Sequence, residues 1–218
     1  MSQTAFDGRV VLVDHPLVQH KLSLLRDEGT SSGQFRRLVR ELALIEGCEA
    51  TADLPLKDVD VRTPLATAHC KRLAHKSPVI VPILRAGLGM VEGLLEILPD
   101  AQVGHLGMYR DEASHKPVAY YEKLPRDIAE VPVIVVDPML ATGGSMTAAL
   151  EHLRARGVEG PITAMVLVSA PEGIQAVLAA DAEVRIFSCA VDDGLNEDAY
   201  ILPGLGDAGD RIFGTENE

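Results

Sequence analysis

The stretch that most constrains this chain is Val131–Leu150, VPVIVVDPMLATGGSMTAAL. Val133, Ile134, Val135 and Val136 form a β-branched apolar run that ends at the charged Asp137. Such a run predicts a strand buried on both faces of a parallel sheet. Pro138, Gly143 and Gly144 then punctuate a tight loop. From Thr142 or Ser145 onward a helical period takes over, carried by Met146, Ala149, Leu150 and Leu153. Strand, small-residue loop and helix in this order aim backbone N–H groups and a helix N-terminus at one point, which makes an anion site.

The flanking sequence repeats the alternation. Apolar runs at Val79–Leu84, Gln102–Met108, Ile162–Val168 and Val184–Cys189 predict four more strands. Helical patterns at Leu88–Leu98 and Pro171–Ala180 lie between them, the second with proline in its first turn. Lys116–Leu124, with a proline near its start and two tyrosines, reads as half of an exposed hairpin. Tyr120 and Tyr121 on it fit a subunit contact better than a binding platform. The alternation predicts an α/β doubly wound, mainly parallel five-stranded sheet with right-handed crossovers. Ligands should then gather at the carboxyl ends of the strands, after Leu84, Met108 and Asp137.

The N-terminal part reads as mainly helical. A short strand or extended segment is expected at Val10–Val13 and a helix at His15–Arg26. A second helix, capped by Ser32, runs to about Ala50 on a stripe of Phe35, Leu38, Val39, Leu42 and Ile45. Asp58–Thr63 alternates as a strand would, and Thr67–Ala74 is expected to be a short helix. The tail, Val191–Gly214, reads as loop. With 218 residues, 47% of them apolar, the chain can bury one core, and no linker divides it. The expected organisation is a single domain: residues 1–75 mainly helical, 76–190 the core sheet, 191–214 a terminal loop over the site.

Charge and composition narrow the partners. Twenty basic against 32 acidic residues give a net charge of −12, and no basic cluster offsets it. Nucleic acid and anionic membranes are therefore not expected partners, and an RNA-binding regulator on the same fold is disfavoured. No apolar run is long enough for a membrane span. The opening residues MSQTAFDGRVVLV lack a signal peptide's pattern. Cys48, Cys70 and Cys189 are scattered and odd in number, which fits a reducing, cytoplasmic setting. The histidines show no metal-ligand spacing.

Several motifs together resemble one family. ATGGS after a valine-rich strand and an acid resembles the ribose-5-phosphate loop of type I phosphoribosyltransferases. Most of that superfamily has two adjacent acids where this chain has Asp137-Pro138; DPMLATGGS is similar to the loop of uracil phosphoribosyltransferases. PILRAGLGM (Pro82–Met90), MYRDE (Met108–Glu112), YYEKLP (Tyr120–Pro125), LVSAPEGI (Leu167–Ile174) and LNEDAYILPGLGDAGDR (Leu195–Arg211) carry the same resemblance over nearly the whole chain.

The resemblance implies transfer of a phosphoribosyl group from phosphoribosyl pyrophosphate to uracil, giving UMP and diphosphate, with Mg²⁺. It implies that Ala141, Thr142, Gly143, Gly144 and Ser145 grip the 5-phosphate, with Pro138, Met139 and Leu140 completing the substrate contact. Asp137 would hold the ribose hydroxyls, and Arg85 and Arg110 the diphosphate. A hood would frame uracil through Ile201, Gly206 and Ala208, with Asp207 near both substrates and indirectly near the metal. It further implies a homodimer or homotetramer and admits a GTP effector. A purine in place of uracil is the nearer rival; a purine hood would more typically offer a stacking aromatic, and this tail has only Tyr200 and Phe213.

Overall fold

The computed structural model describes residues 8–110 and 117–215. It opens with β1 (Val10–Leu12), then α1 (Pro16–Arg26) and α2 (Ser32–Ala50). His15 caps α1 by accepting from the Leu17 N–H at 3.1 Å. Ser31, one residue before the expected cap, does the same for α2, accepting from the Gln34 N–H. The buried stripe of α2 also differs by one position. Phe35, Leu38, Val39 and Leu42 are buried as expected and Ile45 packs half-buried against the same core, but the next fully buried position after Ala43 is Glu46. Helical geometry carries the stripe to position 46 whatever residue stands there.

The chain continues through β2 (Leu56–Arg62) and β3 (Thr67–Leu73), which pair antiparallel from Leu56–Leu73 to Arg62–Thr67. The helix expected at Thr67–Ala74 is thus a strand. Thr63 shapes the turn: its hydroxyl accepts from the Leu65 and Ala66 N–H groups. The ladder partner Val59–Val61 selects the extended form for Ala68–Cys70. This hairpin stands as a separate two-stranded sheet.

β4 (Val79–Leu84), α3 (Leu88–Ile97), β5 (His105–Arg110), β6 (Pro117–Lys123), β7 (Val133–Val136), β8 (Met139–Leu140), α4 (Gly144–Ala155), β9 (Ile162–Ser169), α5 (Pro171–Ala180) and β10 (Arg185–Val191) build the core. The main sheet has the order β1-β10-β9-β7-β4-β5-β6, with β8 also paired to β9. The five expected core strands occupy the adjacent positions β10-β9-β7-β4-β5, all parallel. β1 widens one edge in parallel, and β6 closes the other edge antiparallel to β5. β6 is thus half of a hairpin, as its sequence predicts.

Alternate residues of each strand serve two cores. Ile80, Ile134, Met165 and Phe187 face α1, α2 and α3. Val79, Val81, Val133, Val135, Ala164 and Ile186 face α4 and α5. Helices on both faces explain why these strands read as unbroken apolar runs. The tail is more ordered than a loop. β11 (Gly194–Leu195) pairs with β12 (Ile201–Leu202), and α6 (Ala208–Phe213) follows. Among the described residues, no helix is long and apolar enough to cross a membrane.

Candidate active site

The chain order reverses between β4 and β7. From β4 it proceeds through α3 to β5 on one side, and from β7 through α4 to β9 on the other. The crevice outside the carboxyl ends at such a switch point is where open α/β sheets bind ligands. Arg85 follows β4 and Asp137 follows β7, so each flanks it. A cleft of about 250 Å³ opens there, lined by Ala86, Asp137, Met139, Ala141, Tyr200, Ile201, Gly206, Asp207 and Ala208 among others. The expected hood thus faces the expected ribose loop across one cleft. A larger cavity, about 580 Å³, lies at the opposite, amino ends of the strands. Its lining is rich in proline and aliphatic residues, including Pro55, Pro132, Pro161 and Ile134, with Gly160 as its one glycine among the described residues. The chemistry points to the smaller cleft.

The loop from Asp137 to Ser145 is built by backbone contacts. The Pro138 carbonyl accepts from both Leu167 and Val168 N–H at 3.0 Å, and the Leu140 carbonyl accepts from Ala170 at 2.9 Å. These bonds lash the loop to β9, and Pro138 and Leu140 are buried away from the cleft. Gly143 then takes φ +83°. A Cβ there would lie 2.8 Å from the Gly173 carbonyl oxygen of α5, so glycine is required twice over. The first intrahelical bond of α4 runs from Thr147 N–H to the Gly143 carbonyl, 2.9 Å. The N–H groups of Gly144, Ser145 and Met146 precede it and have no carbonyl within the helix to bond. Thr142 and Ser145 stand exposed beside them. An oxyanion fits this end of α4.

Asp137 is half-buried, and burial pushes its carboxyl up to about 7. The nearby charge of Asp207 adds to the shift, while the Met139 N–H works against it. Asp207 also caps α6, its Oδ1 accepting from the Asp210 N–H at 2.9 Å. Among the described residues no group of three or more His, Cys, Asp or Glu could hold a metal ion unaided. Arg85 reaches Asp210 Oδ1 at 3.3 Å and lies over the Phe213 ring, 5.6 Å from its centroid. Its side chain is 57% exposed, so the guanidinium is available to a ligand. Arg110 ends β5, paired in register with Pro117; its side chain, like Asp111 and Glu112, lies outside the described residues.

Four contributors are not among the expected site residues, although Tyr200 is one of the tail aromatics weighed for stacking. Ala199, at φ 64°, and Tyr200 reach the cleft because Asn196 Oδ1 accepts from the Asp198 and Tyr200 N–H groups and folds the β11–β12 turn inward. Asparagine in a polar stretch is the signal that predicts such a turn. Tyr200 thus brings an aromatic to the base side, which weakens the argument against a purine drawn from composition alone. Asp210 and Gly173, the other two, carried no signal in periodicity.

Comparison with known proteins agrees with this geometry. The model of the uracil phosphoribosyltransferase family matches residues 11–215. The uracil phosphoribosyltransferase of Thermoanaerobacter sp. (strain X514) is 56% identical over 207 residues, covering 95% of this chain and 98% of the relative. The solved structure of the AQ2163 protein from Aquifex aeolicus superposes with a TM-score of 0.90 at 37% identity, covering 96% of this chain and all of that one. A hypoxanthine-guanine phosphoribosyltransferase from Bacillus anthracis shares the fold alone: TM-score 0.51, 12% identity, 74% of this chain and 80% of that one. With a glycine-cradled helix N-terminus, an acid at the strand end and a facing hood, and with relatives matched end to end, the chain belongs to the uracil phosphoribosyltransferase family.

Proposed function

We propose that the chain catalyses its family's reaction at this cleft: uracil and phosphoribosyl pyrophosphate give UMP and diphosphate, a step of pyrimidine salvage. The observation that carries the site assignment is the juxtaposition of the α4 amino end and Asp137 with Ile201, Gly206 and Ala208 across one cleft. The bond from the anomeric carbon to uracil N1 forms as the bond to diphosphate breaks, positive charge grows on the ribose ring, the bonding electron pair leaves with diphosphate, and the N1 proton is released with it. Catalysis is then positioning and charge stabilisation, with no covalent nucleophile required. Ala141 to Ser145 hold the 5-phosphate. Asp137, as the carboxylate, accepts from ribose hydroxyls. Arg85 and Arg110 neutralise the leaving diphosphate, the guanidinium fork suiting two phosphoryl oxygens. Backbone groups of Ile201, Gly206 and Ala208 read the small polar edges of uracil.

Mg²⁺ fits this donor set. Asp137 and Asp207 are hard oxygen donors, and the charge of Asp207 lies near enough to raise the Asp137 carboxyl. Two carboxylates plus substrate phosphates are how Mg²⁺ is usually held. When bound with the diphosphate it would supply charge neutralisation of the leaving group.

The β2–β3 hairpin supports a homo-oligomer, dimer or tetramer. An isolated two-stranded hairpin is marginal in water, and this one exposes Leu56 and, at its turn, Leu65. Sedimentation with and without GTP tests both the assembly and a GTP effector. The activity is tested by turnover of phosphoribosyl pyrophosphate with each free nucleobase. UMP from uracil is expected; a purine nucleotide formed faster would overturn the base assignment.

A further inference from the structure

We infer that Arg211 is a positioning residue for the base: it aims the Gly206 N–H into the cleft and so sets the affinity for uracil while touching neither substrate. The inference rests on the reading above that Gly206 helps frame uracil. Arg211 is only 8% exposed. Its guanidinium donates to the carbonyls of Leu25 at 2.9 Å, Asp27 at 2.5 Å and Leu205 at 2.8 Å. It also lies over the Phe35 ring, 4.5 Å from the centroid. Among the described residues its partners include no carboxylate. Two of the three carbonyls belong to the last turn and C-cap of α1, where a helix leaves carbonyls unbonded and its dipole is negative. The N-terminal helices thus supply the socket, and the third carbonyl, Leu205, is what the socket holds.

The geometry of one peptide unit links this to the cleft. In a trans peptide the carbonyl and the following N–H lie in one plane and point opposite ways. The Leu205 carbonyl is drawn back toward Arg211, so the Gly206 N–H points away from it. Gly206, at φ +80°, lines the cleft. Arg26 and Asp192 brace the same loop two residues earlier. Arg26 pairs with Asp192 through both nitrogens, at 2.6 and 2.7 Å, and donates to the Gly204 carbonyl at 2.7 Å. Asp192 Oδ2 accepts from the Gly204 N–H at 2.8 Å. The peptide groups on both sides of Gly204, and the one entering Gly206, are therefore fixed from behind.

None of these contacts reaches the Asp137–Ser145 loop, which separates the role from a general structural one. Loss of fold would weaken both substrates together; a misaimed Gly206 weakens uracil alone. The test measures kcat, KM for each substrate and calorimetric binding of phosphoribosyl pyrophosphate for Arg211→Lys, Arg211→Met and Asp192→Asn, with thermal unfolding as the fold control. Arg211→Met should raise the KM for uracil about 10-fold or more, the loss of a charged hydrogen bond. Arg211→Lys should recover part of it, and phosphoribosyl pyrophosphate affinity should stay within about 2-fold. If Arg211→Met does not fold, Asp192→Asn, which keeps the shape and loosens Gly204, should show the same split at smaller size. A folded variant with unchanged uracil KM, or with both substrates weakened equally, overturns the inference. Wild-type protein that forms no UMP overturns instead the activity on which it rests.

Discussion

Glu46 gives the sharpest stability prediction. It sits in the apolar stripe of α2 at 0% exposure, and no hydrogen bond reaches either carboxyl oxygen from the described residues. Burial holds its carboxyl well above the ordinary 4.5, with the nearby Val166 N–H opposing only part of the shift. The native state therefore keeps a proton that the unfolded chain releases once pH exceeds 4.5. Stability contributed in this way is complete below that value. It falls by about 1.4 kcal/mol for each pH unit up to the raised folded value. Glu46→Gln keeps the shape and removes the proton. Urea denaturation of wild type and Glu46→Gln in half-unit steps upward from about pH 5 should give curves that diverge with that slope until the raised folded value is reached. Asp137 is shifted in the same direction but is present in both proteins, so the difference isolates Glu46. Glu46→Leu also removes the two unsatisfied oxygens and should stabilise by about 1–3 kcal/mol at neutral pH. Parallel curves for wild type and Glu46→Gln would refute a buried, protonated Glu46.

The site yields three further expectations. With its carboxyl at about 7, Asp137 is the carboxylate only on the alkaline side, so kcat/KM for phosphoribosyl pyrophosphate should fall as pH drops through that value; in Asp137→Asn the limb should vanish and the plateau drop about 100-fold, as a pH–rate profile will read. Arg85→Ala should cut kcat about 100- to 1,000-fold with little change in uracil KM, and an unchanged kcat in steady-state assays would remove its leaving-group role. Asp210→Asn frees Arg85 from its partner and should tighten phosphoribosyl pyrophosphate by up to about 5-fold by calorimetry, the worth of an exposed pair; weaker binding would show that Asp210 orients Arg85 for the ligand instead.

The sheet was legible because its strands are buried on two faces. Val79–Leu84 reads as a strand and is one to the residue, and the loop at Asp137–Ser145 declares itself through Gly143. Thr67–Leu73 misled because its hairpin has one face that is only half-buried, marked in TAHCKRL by nothing apolar larger than Ala68 and Cys70, so the alternation is weak. α6 was unreadable for a different reason. A six-residue helix is too short for a period to register, and what holds it is an Asp207 cap and an arginine gripping carbonyls at the end of the distant α1. Glu46 shows the converse error. The expected stripe of α2 ended at Ile45 and left out Glu46, a residue type usually exposed; helical geometry puts position 46, four residues after Leu42, on the buried face as well.

The two halves of the cleft are held by different means, and α6 joins them. The ribose side is backbone on backbone: Pro138 and Leu140 carbonyls on β9, and Gly143 against Gly173. The base side hangs on side-chain cations, Arg26, Arg36 and Arg211, each donating to a carbonyl of the tail. From α6, Asp210 bonds Arg85, the residue proposed to take the diphosphate, while the adjacent Arg211 reaches back to α1. An exposed pair such as Arg85–Asp210 is worth about 0–1 kcal/mol, so a diphosphate can take Arg85 from it at small cost. The buried grip of Arg211 on three carbonyls has no competitor in either substrate. An acidic chain can thus hand its exposed cation to an anion without loosening the loop proposed to read the base.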